Sequence, residues 1–355
     1  GQETFIMNVF RNIDRDKICF NFLCSTQGEG EFDQEIRNLG GSLYVLPPVK
    51  RQRGVLKYIE QIHAISGWLK ENRNVFDVVH VHTYHSLSAW VHLEACRRAK
   101  VSKVIIHSHN TSGPHQMIHR LLREVCKLYR YDKFACSHDA AIWMFGKHAT
   151  KAGHVHMFYN GIDVSAFRYD EGIARAYKEE LQLFGRPVVG HIGRFGYQKN
   201  HKFLIEVFKE YLKHEPTAIL LLVGKGELEE DIRRLVKEYS MEDSVRFLGS
   251  RNDIPQLLNA MDAFVFPSHF EGLSVVLVEA QCNGISIIAN ENIGKETIIS
   301  DAMHLLKLES GAKAWANQLS RIIGKRTKSI KTDDFLIANI TKEIAARYLT
   351  FFRGK

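Results

Sequence analysis

The chain has 355 residues, more than one hydrophobic core usually supports, so its length predicts two domains of about 160–190 residues each. It is 45% hydrophobic and 25% charged, and no apolar run reaches the roughly 20 residues of a spanning helix, which excludes a membrane-embedded protein. Six scattered cysteines without a CxxC pair predict buried thiols in a reducing compartment. We therefore expect a cytoplasmic protein, either soluble or peripheral on the inner face of the plasma membrane.

The first half of the chain alternates short apolar runs with longer helical patterns, an alternation that builds parallel sheets. The chain enters a helix at once, with no strand before it. Because a parallel sheet normally leads with a strand and a glycine turn, we expect the first strand of this domain to be missing. The predicted strands are 18–23, 42–46, 78–81, 103–107 and 134–136.

Histidines cluster where two of these strands end, in the motifs His-Val-His82 and His107-Ser-His109-Asn110. Strand alternation places His107 and His109 on one face, with His109 nearer the carboxyl end. A histidine at that position could orient an acceptor or stabilise developing charge, and a histidine bonded within the turn is the structural alternative. We expect no metal site, since acidic partners and an HExxH motif are absent, and no GxSxG elbow supports a Ser/His/Asp triad.

The formal charge of +8 is concentrated in residues 1–165, which hold 21 Lys and Arg against 15 Asp and Glu. Part of this excess lies on a predicted amphipathic helix. Its profile suits contact with an anionic lipid surface or an anionic acceptor, and an ordinary surface helix explains it as well. Nucleic-acid binding is not expected, because no recognised module appears. The helix carries Arg120, Arg123, Lys127, Arg130 and Lys133 among the apolar residues Met117, Ile118, Leu121, Leu122, Val125 and Leu128.

The alternation of strands and helices restarts after residues 160–163 and predicts a second parallel sheet. Ligands of such folds bind outside the carboxyl ends of the strands. A last helical pattern covers 333–352. The predicted strands of this half are 187–192, 218–223, 245–248, 263–266 and 285–289.

A glycine-rich turn with two fixed positive charges follows the first strand of the second half, at Gly193, Arg194 and Lys199. Glycine permits close backbone approach, and the two cations could clamp a diphosphate between them. The turn is neither a P-loop nor a GxGxxG motif, and by itself it is equally a strand-to-helix turn with solvated bases.

Two further loops follow strands in this half. The motif Gly224-Lys-Gly226 is a weak nucleotide signal, and we interpret it as scaffolding. The loop that contains Gly249 could hydrogen-bond a base edge, with helix capping by Asn252 or Asp253 as the alternative.

The segment 266–284 places two carboxylates, Glu271 and Glu279, eight positions apart around a helix predicted to begin near Leu273. That separation is about 12 Å along a helix, too far for the carboxylate pair of a retaining glycosidase. Free amides at Gly272, Leu273 and Ser274 offer a seat for phosphate, and Glu279 could accept hydrogen bonds from two ribose hydroxyls. The alternative is two solvated glutamates.

Together these segments resemble the retaining GT-B glycosyltransferases of family four, particularly the bacterial branch that builds capsular and exopolysaccharides. The resemblance spans nearly the whole chain. Residues 2–8 resemble the helix after the family's N-terminal glycine-rich turn, 107–111 its acceptor-side histidine motif, and Asn160 with Asp163 its interdomain signature. The turn at 193–199 matches the diphosphate clamp, and the Glu-x7-Glu pattern of 271–279 is the most specific match.

The resemblance implies an α/β protein of GT-B architecture, with two Rossmann-like doubly wound domains facing across a cleft and a C-terminal helix crossing back. It implies an acceptor-binding domain over 1–165, a nucleotide-sugar-binding domain over 166–335 and a C-terminal helix over 336–355 that packs on the N-terminal domain. The predicted donor is a nucleotide sugar, in the first place a UDP-sugar, and the predicted acceptor is a polysaccharide or lipid-linked saccharide. No cofactor or metal is implied, because the nucleotide sugar is a substrate and side-chain cations neutralise its phosphates.

The resemblance also implies roles for individual residues. Catalytic roles fall to His109, beside the anomeric centre, and to Glu271. The donor-binding residues would be Gly193, Arg194, Lys199, Gly249, Gly272, Leu273, Ser274 and Glu279, and the acceptor side would include His82, Asn110 and Asn160. The implied chemistry is hexosyl transfer with retention, in which the departing diphosphate helps to deprotonate the acceptor.

Two other functions remain open from the sequence alone. A nucleotide-sugar epimerase or hydrolase of the same fold would turn over the donor without an acceptor. An inactive protein that binds the nucleotide sugar would bind UDP and release no product.

Overall fold

The computed structural model describes residues 2–25, 28–51, 54–113 and 115–351. Within these ranges, no helix is both long and apolar enough to cross a bilayer. The strands are β1 Asn21–Cys24, β2 Ser42–Val45, β3 Val79–Thr83, β4 Val104–Ser108, β5 Asp132–Ala135, β6 His156–Met157, β7 Val188–Ile192, β8 Ile219–Val223, β9 Val245–Gly249, β10 Ala263–Phe266, β11 Ile287–Asn290 and β12 Met303–Leu306.

The α-helices lie between and after these strands. They are α1 Gln2–Asn12, α2 Asp33–Asn38, α3 Val55–Glu71, α4 Ser86–Arg98, α5 Gln116–Cys126, α6 His138–Phe145, α7 Lys147–Lys151, α8 Val164–Phe167, α9 Glu171–Glu180, α10 His201–Leu212, α11 Glu229–Glu238, α12 Ile254–Ala260, α13 Val275–Asn283, α14 Gly311–Ile322 and α15 Ile337–Thr350.

The chain divides into two compact units. The first unit contains residues 1–161 together with 334–355, and the second contains 162–333. Each unit is built from parallel strands whose connections are mostly helical, as the alternating sequence pattern predicts.

The strands of the first unit form two separate parallel sheets, β1-β2 and β3-β4-β5-β6. A groove of about 390 Å³ is lined by residues of both β1 and β3, among them Phe22, His80 and His82. The sequence predicts only that these strands are parallel. Their division into two sheets is a finding of the structure, because β1 and β3 do not hydrogen-bond to each other.

The C-terminal helix α15 belongs to the first unit, where it packs against α1. Ile337, Ile340 and Ile344 are buried on its inner face, and they share a core with Phe5 and Phe10 of α1. This return of the last helix to the N-terminal part of the chain is the arrangement that the sequence resemblance predicts.

The second unit contains one six-stranded parallel sheet in the order β12-β11-β10-β7-β8-β9. In sequence order, β7, β8 and β9 extend from the centre of the sheet to one edge, and β10, β11 and β12 extend from the centre to the other edge. Between β7 and β10 the strand order reverses. In open α/β sheets, the crevice at the carboxyl ends of such strands is where ligands bind.

Sequence patterns located the buried strands closely and the edges less well. The predicted strand 263–266 coincides with β10, whose residues are all buried, whereas the strand predicted over 18–23 begins only at Asn21. The pattern missed β6 and β12, which are short and mostly half-buried, so that neither carries a continuous apolar run. The helix predicted to start at Leu273 begins at Val275.

Candidate functional site

The candidate donor site lies at the reversal of strand order in the second unit. The loop with Gly193, Arg194 and Lys199 follows β7, and the loop with Glu271 and Gly272 follows β10. Since β7 and β10 are hydrogen-bonded neighbours, their carboxyl ends bring together two loops that are about 70 residues apart in the sequence. The sequence assigned both loops to one anion site, and the structure places them on adjacent strands.

The loops that follow β7, β8 and β9 are tied together by main-chain hydrogen bonds. The amide of Gly193 donates to Val223 O at 2.9 Å, and the amide of Gly224 donates to Gly249 O at 2.8 Å. A Cβ at Gly224 would lie 2.2 Å from Gly193 O, and φ there is +137°, so only glycine fits. The Gly224 turn is therefore a scaffold that holds Gly193 and Gly249 in place.

Lys199 and Glu271 form the closest ion pair of this site, with Nζ and Oε1 2.5 Å apart. Both side chains are largely shielded from water, with 17% and 10% exposure. The ammonium group also lies 4.4 Å from the centre of the Phe266 ring, within the range of a cation–π contact. A shielded cation with a single carboxylate partner remains able to attract phosphate oxygens.

Arg194 lies on the same loop as Lys199 and is more exposed. Its guanidinium pairs with Glu227 at 3.0 Å, with exposures of 77% and 58%. An exposed pair of this kind contributes little to stability, so exchanging the carboxylate for phosphate costs little. Sequence reasoning missed Glu227, which follows the scaffold glycines and carries no motif signal of its own.

The Glu271 loop is held from the other side by the segment after β11. Glu271 accepts from the amide of Gly294 at 3.0 Å, and its own amide donates to Asn292 O at 3.2 Å. The Thr297 hydroxyl lies 3.3 Å from Gly272 O and 3.4 Å from the Ser274 amide. Sequence reasoning missed Gly294 and Thr297, although a glycine and a threonine after a buried strand are a turn signal.

The helix α13 begins at Val275 and points its first turn toward this loop region. Ser274 is the N-cap and makes no side-chain capping bond, so the first-turn amides have no partner within the helix. The sequence predicts that the amides of Gly272, Leu273 and Ser274 bind phosphate. The Ser274 amide already donates to the Thr297 hydroxyl, so the amides that follow it in α13 are the better phosphate donors.

Glu279 lies in the second turn of α13 and is half-buried. Burial raises the pKa of its carboxyl to about 7. Among the described residues, no ion pair involves this side chain. Because no cation compensates a charge on this carboxylate, hydrogen bonds from ligand hydroxyls would stabilise its ionised form.

Two buried histidines lie beneath the Gly193 turn, and sequence reasoning did not single them out. His191 Nδ1 donates to Val265 O at 2.8 Å, which ties β7 to β10. Its Nε2 lies 3.1 Å from the position that a Cβ at Gly193 would occupy. Burial lowers the pKa of His201 to about 4 and holds that of His191 well below its usual range, so both rings are neutral and pack beneath the turn.

The first unit brings His82 and His109 into contact, with Nδ1 and Nε2 2.9 Å apart. Burial lowers the pKa of His109 to about 3, so its ring is neutral at pH 7. Asn110 follows as an exposed residue. His85, by contrast, caps α4 by accepting from the Leu87 amide at 3.1 Å, which is a structural role.

Asn160 lies in the first unit, next to the contact between helices α1 and α15. The carbonyl of the next residue, Gly161, accepts from Asn8 Nδ2 at 2.9 Å, and a Cβ at Gly161 would lie 2.8 Å from Ile337. The Asn160 Oδ1 atom is buried without a hydrogen-bond partner among the described residues. The motif around Asn160 thus has a packing role in this unit.

Two protein families match the chain, one over each half. The family described as "Glycosyltransferase Family 4" matches residues 1–166. The family described as "Glycosyl transferases group 1" matches residues 175–339, which include every residue proposed above for the donor site.

Known relatives cover almost the whole chain. EpsF of Bacillus subtilis, which is named as a glycosyltransferase, is 31% identical over 332 residues, covering 90% of this chain and 84% of its own. The UDP-Gal:alpha-D-GlcNAc-diphosphoundecaprenol alpha-1,3-galactosyltransferase of Escherichia coli is 23% identical over 354 residues, covering 93% and 86%. The crystal structure of Anabaena Alr3699/HepE in complex with UDP and glucose superposes with a TM-score of 0.77 at 20% identity, covering 99% and 96%.

The structural likeness confirms the predicted fold class, and the sequence likeness to EpsF shows the family. The chain therefore belongs to the glycosyltransferases, with a family 4 domain followed by a group 1 domain, and it has the GT-B fold.

Proposed function

We propose that this glycosyltransferase moves a hexosyl group from a UDP-sugar to a polysaccharide or lipid-linked saccharide, with retention of configuration at the anomeric carbon. The observation that carries the proposal is the meeting of Lys199, Glu271 and the α13 N-terminus at the strand-order reversal of the second unit. A nucleoside diphosphate needs cations and free amides within one crevice, and these elements supply them.

The diphosphate would be held by Lys199, by Arg194 and by the first-turn amides that follow Leu273. Lys199 would exchange part of its contact with Glu271 for a phosphate oxygen. Glu271 would then turn toward the hydroxyls of the donor sugar. Gly272 lies on the same loop and would contact the donor beside it. One loop thereby couples the seating of the phosphate to recognition of the sugar.

The nucleoside would be recognised by Glu279 and by the loop at Gly249. Glu279 would accept hydrogen bonds from the two ribose hydroxyls, which favour its charged form and oppose the effect of burial on its pKa. Gly249 has a positive φ of +65°, so its loop turns sharply at the end of β9. Main-chain groups of such a turn suit the edge of a uracil base.

The acceptor-side roles would fall to residues of the first unit. His109 would contact the reacting sugar, and its ring is oriented by the hydrogen bond with His82. Asn110 is exposed and would bind the acceptor directly, whereas Asn160, whose Oδ1 is buried, would support the acceptor side through packing. The E. coli relative is named for a UDP-sugar donor and a diphosphoundecaprenol acceptor, which supports these substrate classes.

In the proposed reaction, the bond between the anomeric carbon and the diphosphate oxygen breaks while the acceptor oxygen bonds on the same face. The acceptor proton passes to the departing diphosphate. We propose that this step uses no metal, because Lys199, Arg194 and the helix amides neutralise the developing charge.

We also propose that α5 rests on an anionic membrane, where a lipid-linked acceptor would be found. Apolar side chains on this helix face solvent, with exposures of 77% for Met117, 65% for Leu121 and, just beyond its end, 85% for Leu128. The exposed Lys127 lies among them, and the half-buried Arg123 borders them, with both cations paired to Glu124. Exposed apolar side chains flanked by cations are the profile of an interfacial helix.

The membrane contact is tested by sedimentation with anionic liposomes. Arg123→Glu with Lys127→Glu should release the protein, whereas Lys70→Glu with Lys237→Glu, which change the net charge equally elsewhere on the surface, should not. Equal sedimentation of the two double variants would remove the membrane proposal.

The transfer reaction is tested with a panel of UDP- and GDP-sugars and with saccharide and undecaprenyl-diphosphate saccharide acceptors. Release of UDP that depends on acceptor, with an α-linked product from an α-linked donor by NMR, is the expected result. Equal release of UDP without acceptor would identify a hydrolase or an epimerase, and an inverted product would refute retention.

A further inference from the structure

Four histidines line one face of the two neighbouring strands β3 and β4 in the first unit. His82 is the register partner of His107, His80 lies two residues before His82 on the same face of β3, and His109 lies two residues after His107, just past the end of β4. The rings of His80 and His82 are 4.3 Å apart between centroids, and those of His82 and His107 are 5.1 Å apart. The sheet thus gathers imidazoles from two sequence motifs that are 25 residues apart.

The hydrogen bonds of these rings leave several ring nitrogens free. His80 Nδ1 lies 2.6 Å from the Tyr348 hydroxyl, and His82 Nδ1 lies 2.9 Å from His109 Nε2. Buried and without a protein partner among the described residues are His80 Nε2 and both nitrogens of His107. Buried polar atoms normally find partners, because leaving one unpaired costs about 1–3 kcal/mol.

We propose that His80, His82 and His107 bind one divalent transition-metal ion, with Zn²⁺ as the expected species. One ring nitrogen of each residue lies within 4.8 Å of the others. Tetrahedral zinc with bonds of about 2.0–2.1 Å needs nitrogens roughly 3.3–3.5 Å apart, so the stacked rings would rotate from their present orientation to converge on the ion. Three imidazoles without a carboxylate favour zinc, copper or nickel over magnesium or calcium.

The hydrogen bonds orient the proposed ligands as metal-binding histidines usually are. An Nδ1–H of His80 donated to Tyr348, and an Nδ1–H of His82 donated to His109, leave the Nε2 lone pairs of both rings for the ion. His80 and His82 also line the groove of about 390 Å³ beside β1, and the ion would enter from that side.

The ion would join β3 to β4 and would act on the acceptor-side residues through His82. Because His82 is bonded to His109, coordination at His82 Nε2 would fix the orientation and tautomer of His109. This role is independent of the proposed donor chemistry, which lies in the second unit and needs no metal.

The test is metal binding by the full chain after treatment with a chelator. We expect one equivalent of Zn²⁺ in calorimetry, a rise in the melting temperature, and the visible bands of tetrahedral Co²⁺ when cobalt replaces zinc. His107→Ala should weaken binding at least tenfold, whereas His148→Ala, an exposed histidine of α7, should leave it unchanged.

A second variant guards against a folding defect, since His107 is fully buried. Tyr348→Phe removes only the partner of His80 Nδ1 and should weaken zinc binding about 10- to 100-fold, with little change in shape. The proposal is overturned if the wild-type chain gains no stability with zinc and shows no tetrahedral cobalt bands. It is also overturned if Tyr348→Phe and a folded His107→Ala both bind zinc as tightly as the wild type.

Discussion

Replacing Glu279 by glutamine should stabilise the ligand-free protein at alkaline pH while weakening its hold on the nucleotide. The carboxyl has no cation partner among the described residues, and burial raises its pKa from 4.5 to about 7. The folded state therefore holds a proton that the unfolded chain releases near pH 4.5. Between these two values the wild type loses stability as the pH rises, and above pH 7 the full penalty is present.

The size of the effect follows from the pKa values. A shift from 4.5 to about 7 corresponds to roughly 3 kcal/mol at 1.36 kcal/mol per unit. Because Glu279 is only half-buried, water screens part of this penalty, and we expect about 1–3 kcal/mol. For a domain of the size of the second unit, each kcal/mol raises the melting temperature by about 2–4 °C.

The assay is calorimetric unfolding of the wild type, Glu279→Gln and the control Glu238→Gln, an exposed residue of α11. At pH 4.5 the three proteins should melt alike, and at pH 8 only Glu279→Gln should melt higher. UDP affinity of the wild type should rise between pH 6 and pH 8 as the carboxylate forms, and this rise should vanish in Glu279→Gln. A variant that is equally or less stable than the wild type at pH 8 would refute the reasoning.

Three more substitutions test the geometry of the site. Lys199→Met should leave the fold intact and lower UDP affinity more than tenfold in calorimetry, since it removes a shielded phosphate ligand; retained affinity would contradict the clamp. Gly224→Ala should destabilise the protein by at least about 3 kcal/mol, against about 1 kcal/mol for Gly185→Ala, which also has positive φ but open space; equal losses in denaturant unfolding would contradict the close approach to Gly193. His109→Ala should lower kcat at least a hundredfold with UDP affinity unchanged, and an unchanged kcat would remove its catalytic role.

Part of this site was accessible from the sequence because its motifs are local. Lys199 and Glu271 each follow a buried apolar strand, and a strand followed by a glycine-containing loop and a helix is a local pattern. Glu279 was placed in the second turn of its helix by counting from the loop. The predicted start of α13 erred by two residues, because Ser274, a favoured N-cap residue type, was placed inside the helix and not at its cap.

The sequence by itself determined the repeated alternation of strands and helices, the order of the loops and the positions of their charges, because these depend on neighbours a few residues apart. Only the tertiary structure decided that β7 lies beside β10, that Thr297 and Gly294 brace the Glu271 loop, and that four histidines share one face of β3 and β4. Each of these depends on strand order and register, and contacts between segments tens of residues apart leave no periodic signal in the chain. The high pKa of Glu279 belongs to the same class, since burial by distant residues sets it.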